Sequence, residues 1–296
     1  MKQAISLVLS SGGARGLAHI GVIEELERQG FEIKSIAGTS MGALVGGVYA
    51  TGKMEEYKNW LSGLDKLDVF KMIDFTLSTQ GLVKGDKIFK VMKKMVPDIN
   101  IEDLSIPYVA VATDIINHNE VVFDKGNLFE AIRASISIPT VFTPAKVDKL
   151  CLVDGGILNP IPVKYVTRFD DDLLVIVNVN AHTPYIKPAN LIKTQKKNGF
   201  LYNEKVKLFQ DKLTNLFPKE KERLSYFNLI SETISIMLNQ ISLLTIEKSK
   251  PDILINISRK SCGAYDFYKA TEMIEIGRFA AKKSLSELKP IKEKLP

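Results

Sequence analysis

Apolar residues along the chain fall into short runs, several of them closed by glycine or proline, and these runs predict strands. They are Ile5–Leu9, a run ending in Ile36 and Ala37, Pro107–Ile115, Glu120–Phe123, Lys149–Val153, Leu173–Val179 and Asp252–Ile257. Between them the spacing becomes helical. Leu17–Gln29 sets Leu17, Ile20 and Ile23 or Leu26 on one side, Met41–Tyr49 is lined with small residues, and Tyr268–Leu288 is long. Glu24 and Arg28 have the spacing of an i,i+4 pair, and Gly30 suits the position just past a helix. Asn127-Leu-Phe-Glu130 predicts a capping box for a helix through Arg133 to Ile136 that ends before Pro139. Glu55–Asp103 reads as mixed helices and loops in which Trp60, Phe70 and Phe75 pack. Tyr226–Glu247 reads as a helix that packs through Leu229, Ile236, Met237, Leu243 and Leu244, against the sheet or over the mouth of a site. Strands alternating with helices predict an α/β fold, three layers deep, with a mostly parallel central sheet. Reactive loops then belong at the C-terminal ends of the strands.

A length of 296 residues with 45% hydrophobic and 25% charged residues excludes disordered and fibrous classes. It fits one domain over 1–296, with 183–250 as a variable basic and helical segment inside it. Cys151 and Cys262 lack metal-cluster spacing and read as free thiols of a reducing compartment. The N-terminal apolar run is very short and enters a glycine loop at once, so it reads as a strand and not as a signal peptide. Met41–Gly52 is well short of the roughly 20 residues that span a bilayer. Of 40 Lys/Arg and 34 Asp/Glu, ten and four lie between Thr183 and Ser225, leaving 30 of each elsewhere. The whole net charge of +6 thus sits in one polar stretch. That stretch suits an anionic membrane surface or an acidic substrate. It has no zinc spacing or helix-turn-helix pattern and few aromatics between its charges, which speaks against nucleic acid.

Three glycine-flanked motifs carry candidate chemistry. Gly38-Thr39-Ser40-Met41-Gly42 fits G-x-S-x-G, the strand-to-helix turn that exposes a nucleophilic serine; the alternative is a serine that only caps the following helix. Gly12-Gly13-Ala14-Arg15-Gly16 follows the first strand and gathers backbone N–H groups that suit a phosphate or an oxyanion. The phosphate reading is weak, because the glycines do not make G-x-G-x-x-G and no acid follows the second strand. Gly47 to Lys53 resembles a P-loop but lacks its Ser/Thr and follows a helix. Asp154-Gly155-Gly156 closes another strand and offers a carboxylate base, or else a turn-former.

Together these motifs resemble the patatin-like phospholipases, the bacterial single-domain branch in particular. The order of the three motifs, Ala134-Ser135-Ile136-Ser137-Ile138-Pro139 before the aspartate and Asn159-Pro160-Ile161-Pro162 after it carry the resemblance. It weakens from about His182 to Lys250. The resemblance implies a patatin-like α/β fold and a serine lipid acyl hydrolase of phospholipase A or lysophospholipase type. Ser40 and Asp154 would form the catalytic dyad. Gly12, Gly13, Ala14, Arg15 and Gly16 would form the oxyanion hole, Gly38, Thr39, Met41 and Gly42 the elbow, and Gly155 and Gly156 the acid motif. Such a dyad needs Asp154 dry enough for its pKa to rise, whereas Arg15 either helps the oxyanion or pairs with a carboxylate to fix the loop. The apolar stretch Val69–Leu82 would suit an acyl pocket. No metal and no cofactor are expected. Expected partners are a phospholipid or other acyl ester and, transiently, an anionic membrane through 183–225, in a cytoplasmic protein peripheral to the inner membrane face. Two alternatives are a catalytically silent lipid-binding protein and a soluble short-chain esterase with a Ser-His-Asp triad through His182. His19, in the first helix, and His118, in a turn, fit structural roles.

Overall fold

The computed structural model describes residues 2–72, 75–78, 81–83, 85–139, 141–147, 149–188, 191 and 226–287. The basic stretch from 192 to 225 and the side chains of 73–84, part of the expected acyl pocket, lie outside the described residues. The chain divides into two compact units, Met1–Tyr185 with Leu238–Pro296, and Ile186–Met237.

The elements run β1 (Gln3–Leu9), α1 (Ala18–Arg28), β2 (Phe31–Thr39), α2 (Met41–Ala50), α3 (Met54–Ser62) and α4 (Lys66–Met72). A short antiparallel pair, β3 (Phe75–Ser78) and β4 (Gly81–Val83), precedes α5 (Asp86–Met92). Then come β5 (Tyr108–Asp114), β6 (Asn119–Phe123), α6 (Leu128–Ser135), β7 (Ala145–Val147), β8 (Leu150–Asp154) and β9 (Leu173–Ala181). The last elements are α7 (Tyr226–Ser249), β10 (Ile253–Ser258) and α8 (Ala270–Glu287). The main sheet has the order β10-β9-β1-β2-β5-β8-β7, with β6 also on β5. Its β10-to-β5 portion is parallel, whereas β6, β7 and β8 pair antiparallel, so the sheet is mixed.

Strand alternation sorts the core onto two faces. Val8, Ala37, Val109, Val111, Leu174 and Ile176 share one face with Ile161 and Val166, and Ile246 of α7 packs against them. Leu9, Ile36 and Tyr108 lie on the other, where α2 comes so close that a Cβ on Gly46 would meet all three. Similarly, Gly21 and Gly277 let α1 and α8 cross with a backbone atom where a Cβ would sit. The Asn127 side chain caps α6 by accepting from the Glu130 N–H at 3.1 Å, and Gly30 past α1 has φ +88°.

Two expectations are corrected. Arg28 pairs with Glu25 at i,i+3, not with Glu24, because the Glu25 side chain is 1% exposed and its charge needs a partner. Glu24 turns toward neighbouring helices and pairs with Lys58 of α3 and Arg278 of α8. In α7, Leu229, Ile236, Met237, Leu243 and Leu244 are all exposed. Their spacing puts them together on a side of the helix that does not hold buried Ser242 or the packed Ile246. Cys151 and Cys262 are free thiols.

Candidate active site

The site forms where two strands meet end to end. Thr39, the last residue of β2, is in register with Val111 of β5, and Asp154, the last residue of β8, is in register with Ala112. Because β6 takes the opposite edge of β5 at these same residues, β2 and β8 share one edge and abut. Ser40 and Asp154, 114 positions apart, are thereby joined: Ser40 Oγ donates to Asp154 Oδ2 at 2.5 Å. Ser40 is 2% exposed and Asp154 7%. Burial raises the Asp154 carboxyl to about 6 from 3.8, against the pull of its bonds from Ser40 and the Gly156 N–H. The latter bond, at 2.7 Å to Oδ1, is a turn-forming contact, so Asp154 shapes its loop as well as facing the serine. Its own N–H donates to the Ser137 carbonyl at 2.9 Å.

Ser40 sits at φ 56° and ψ −123°, a region costly for any residue with a side chain. Its hydroxyl makes no capping bond to α2, which sets aside the capping reading. The turn closes only because its flanks are glycines: a Cβ on Gly42 would strike the Leu9 carbonyl, and one on Gly38 the Ala43 nitrogen. Thr39 Oγ1 donates to the Asn159 carbonyl at 2.9 Å, tying the elbow to the segment after the acid motif. The Ser40 N–H donates to Ser135 Oγ at 2.8 Å.

The glycine loop runs into a 3-10 turn, Gly13–Leu17, and Gly13 has φ +54°. The end of β9 holds it. Ser10 Oγ accepts from the Val179 N–H at 3.0 Å, and Asn180 Nδ2 donates to the Ser11 carbonyl at 2.6 Å. His19 Nε2 is 2.9 Å from the Ser10 carbonyl, which can only accept, so this nitrogen carries the proton. Burial pushes His19 down to about 4, which keeps the ring neutral. Among the described residues the Arg15 guanidinium pairs with no carboxylate: it donates to Asn180 Oδ1 from Nε and Nη2 at 3.0 and 2.8 Å, and to the Cys262 carbonyl at 3.4 Å. The Ala14 N–H is likewise committed, to the Ala264 carbonyl at 2.8 Å. Among the described residues, the N–H groups of Gly12 and Gly13 have no protein acceptor.

His182 is exposed, with Nε2 3.1 Å from Arg259 Nη1, and the Ser40 hydroxyl bonds to a carboxylate without an intervening imidazole. His118 lies in a turn with φ 58°. Two supporting residues, Ser135 and Asn180, are not among the candidate site residues, although Ser135 stands in the Ala134–Pro139 segment. Asn180 shows only as a polar break near the end of an apolar strand.

The patatin-like phospholipase family model matches residues 7–167. An uncharacterized NTE family protein of Mycobacterium tuberculosis is 32% identical over 327 residues, covering 95% of this chain and 91% of that protein. Lysophospholipase NTE1 of Kluyveromyces lactis is 32% identical over 187 residues, which cover 60% of this chain and 13% of that one. The crystal structure of VipD from Legionella pneumophila superimposes with a TM-score of 0.48 at 15% identity, over 96% of this chain and 67% of that chain.

Proposed function

The chain belongs to the patatin-like phospholipase family and is a lipid ester hydrolase, and from this premise we propose that it cleaves phospholipid or lysophospholipid acyl esters with a Ser40–Asp154 dyad. The observation that carries the reading is the 2.5 Å bond between a buried hydroxyl and a buried carboxylate whose pKa is raised to about 6. A carboxylate in that range is a competent general base near neutral pH. As Ser40 Oγ bonds to the ester carbonyl carbon, its proton passes to Asp154 Oδ2. The Gly12 and Gly13 N–H groups donate to the developing oxyanion, with the loop held in shape by Arg15, Asn180 and His19. Collapse breaks the bond to the alcohol, which leaves with the proton from Asp154. Water then attacks the acyl-Ser40 carbonyl and gives its proton to Asp154. The fatty acid departs and the proton returns to Ser40.

The lipid surface is read from charge and exposure. The ten cations between Thr183 and Ser225 suit anionic headgroups, and the exposed Ile236, Met237, Leu243 and Leu244 of α7 offer an apolar contact beside them in sequence. No helix among the described residues is long and apolar enough to cross a membrane. The dyad is tested by assaying Ser40→Ala and Asp154→Ala against a panel of phospholipids and lysophospholipids. Each should lose activity by roughly a thousandfold or more. Retained hydrolysis by folded Ser40→Ala would overturn the reading.

A further inference from the structure

Where β2 gives way to β8 along the edge of β5, one carbonyl is left between two strand ends. Val111 is opposite the last residue of β2 and Ala112 opposite the last residue of β8. The Val111 carbonyl faces this junction, since a Cβ on Gly155 would collide with its oxygen. A buried carbonyl there needs a partner. Ser135, the fully buried last residue of α6, supplies it: Ser135 Oγ donates to Val111 O at 2.6 Å and accepts from the Ser40 N–H at 2.8 Å. The directions are fixed, because the carbonyl can only accept and the amide can only donate. One hydroxyl therefore fastens the strained Ser40 backbone to β5, the strand against which β8 and its terminal Asp154 are paired.

Resting on the reading of Ser40 as nucleophile and Asp154 as base, we propose that Ser135 is a positioning residue for the hydrolysis: its hydroxyl locks the Ser40 amide to the β5 junction and so holds Ser40 Oγ within hydrogen-bond reach of the Asp154 carboxylate. No proton or bond of the reaction passes through Ser135. Two consequences distinguish this role from packing. The loss falls on kcat and on acylation of Ser40, not on KM. The bond from Ser40 also restrains the Asp154 carboxyl against the upward push of burial, so loosening it moves the acid limb of activity upward.

The test uses the full chain with Ser135→Ala and Ser135→Thr, a monomeric chromogenic ester, a fluorophosphonate probe and thermal unfolding. A displacement of about 1 Å can cost roughly a hundredfold in rate, so Ser135→Ala is expected to lower kcat and the labelling rate by about 10- to 100-fold, with KM within about twofold. Its acid limb moves above that of the wild type. Ser135→Thr keeps the hydroxyl and recovers most of kcat. If Ser135→Ala does not fold, Ser135→Cys puts a poor donor in the same place and carries the same expectation. A folded Ser135→Ala or Ser135→Cys with wild-type kcat and acid limb overturns the proposal. So does a loss confined to KM, or a folded Ser135→Thr as slow as the alanine variant. Ser40→Ala in the same assay separates the two failures. If it retains hydrolysis, the dyad reading fails; if it is inactive while Ser135→Ala is unaffected, only the role of Ser135 fails.

Discussion

Replacing Asp154 by asparagine separates the charge of this side chain from its place in the fold. Asparagine has nearly the same shape, its Oδ1 can still accept from the Gly156 N–H, and its Nδ2 can donate to Ser40 Oγ. What it lacks is a charge to bury. Burial raises the carboxyl from 3.8 to about 6, and at about 1.4 kcal/mol per unit the ionised form costs the fold about 3 kcal/mol at neutral pH. The folded protein thus holds the Asp154 proton more tightly than the unfolded chain does. The Asp154 contribution to wild-type stability accordingly falls as pH rises from about 4 through about 6 and is level above that. Asp154→Asn lacks this decline. At pH 7 it should be the more stable protein, by up to about 3 kcal/mol or roughly 5–10 °C in Tm, while its hydrolysis is lost. Thermal unfolding of both proteins from pH 3.5 to 8 reads the effect, and the two curves should converge at the acid end. A variant no more stable than wild type at pH 7, or a gap of constant size down to pH 3.5, would refute the reasoning that burial tunes this base.

Three further outcomes follow from particular contacts. Gly155→Ala puts a methyl group against the Val111 carbonyl and should cost about 3 kcal/mol or more, read as a lower urea midpoint together with lost activity. His182→Ala removes only an exposed contact with Arg259 and should leave kcat/KM within about threefold, whereas a triad enzyme would lose orders of magnitude. Vesicle sedimentation should show anionic lipid preferred over zwitterionic lipid at low salt and the preference fading at high salt. Leu243→Glu with Leu244→Glu should weaken vesicle binding without changing hydrolysis of a monomeric ester.

The parts of the fold that announce themselves in sequence are those governed by local rules. Glycines at 38 and 42 mark a turn too tight for a Cβ, and Asn127 with Glu130 marks a helix start. The β1-to-α2 portion and the buried strands are legible from periodicity alone. The junction of β2 with β8 is not, because it depends on a register between residues 114 apart and on β8 running antiparallel to β5. Ser135 stands in the Ala134–Pro139 segment, but its contacts do not show there for the same reason: its partners, Val111 and Ser40, are distant in sequence. The glycine loop shows its shape in sequence but not the use of each amide, since the Ala264 carbonyl that occupies Ala14 comes from far along the chain. The exposed face of α7 is not legible either, because an apolar stripe on a helix looks the same whether it meets a core or solvent.

Direct activation of Ser40 by Asp154 underlies the proposed hydrolysis. The pH dependence of fluorophosphonate acylation, followed by mass spectrometry of the modified peptide, tests it on the atoms concerned. A single adduct on Ser40 is expected, with a rate that rises with a midpoint near the Asp154 value of about 6 and loss of that rise in Asp154→Asn. An adduct on another residue, or an unchanged rate and pH profile in folded Asp154→Asn, would contradict it.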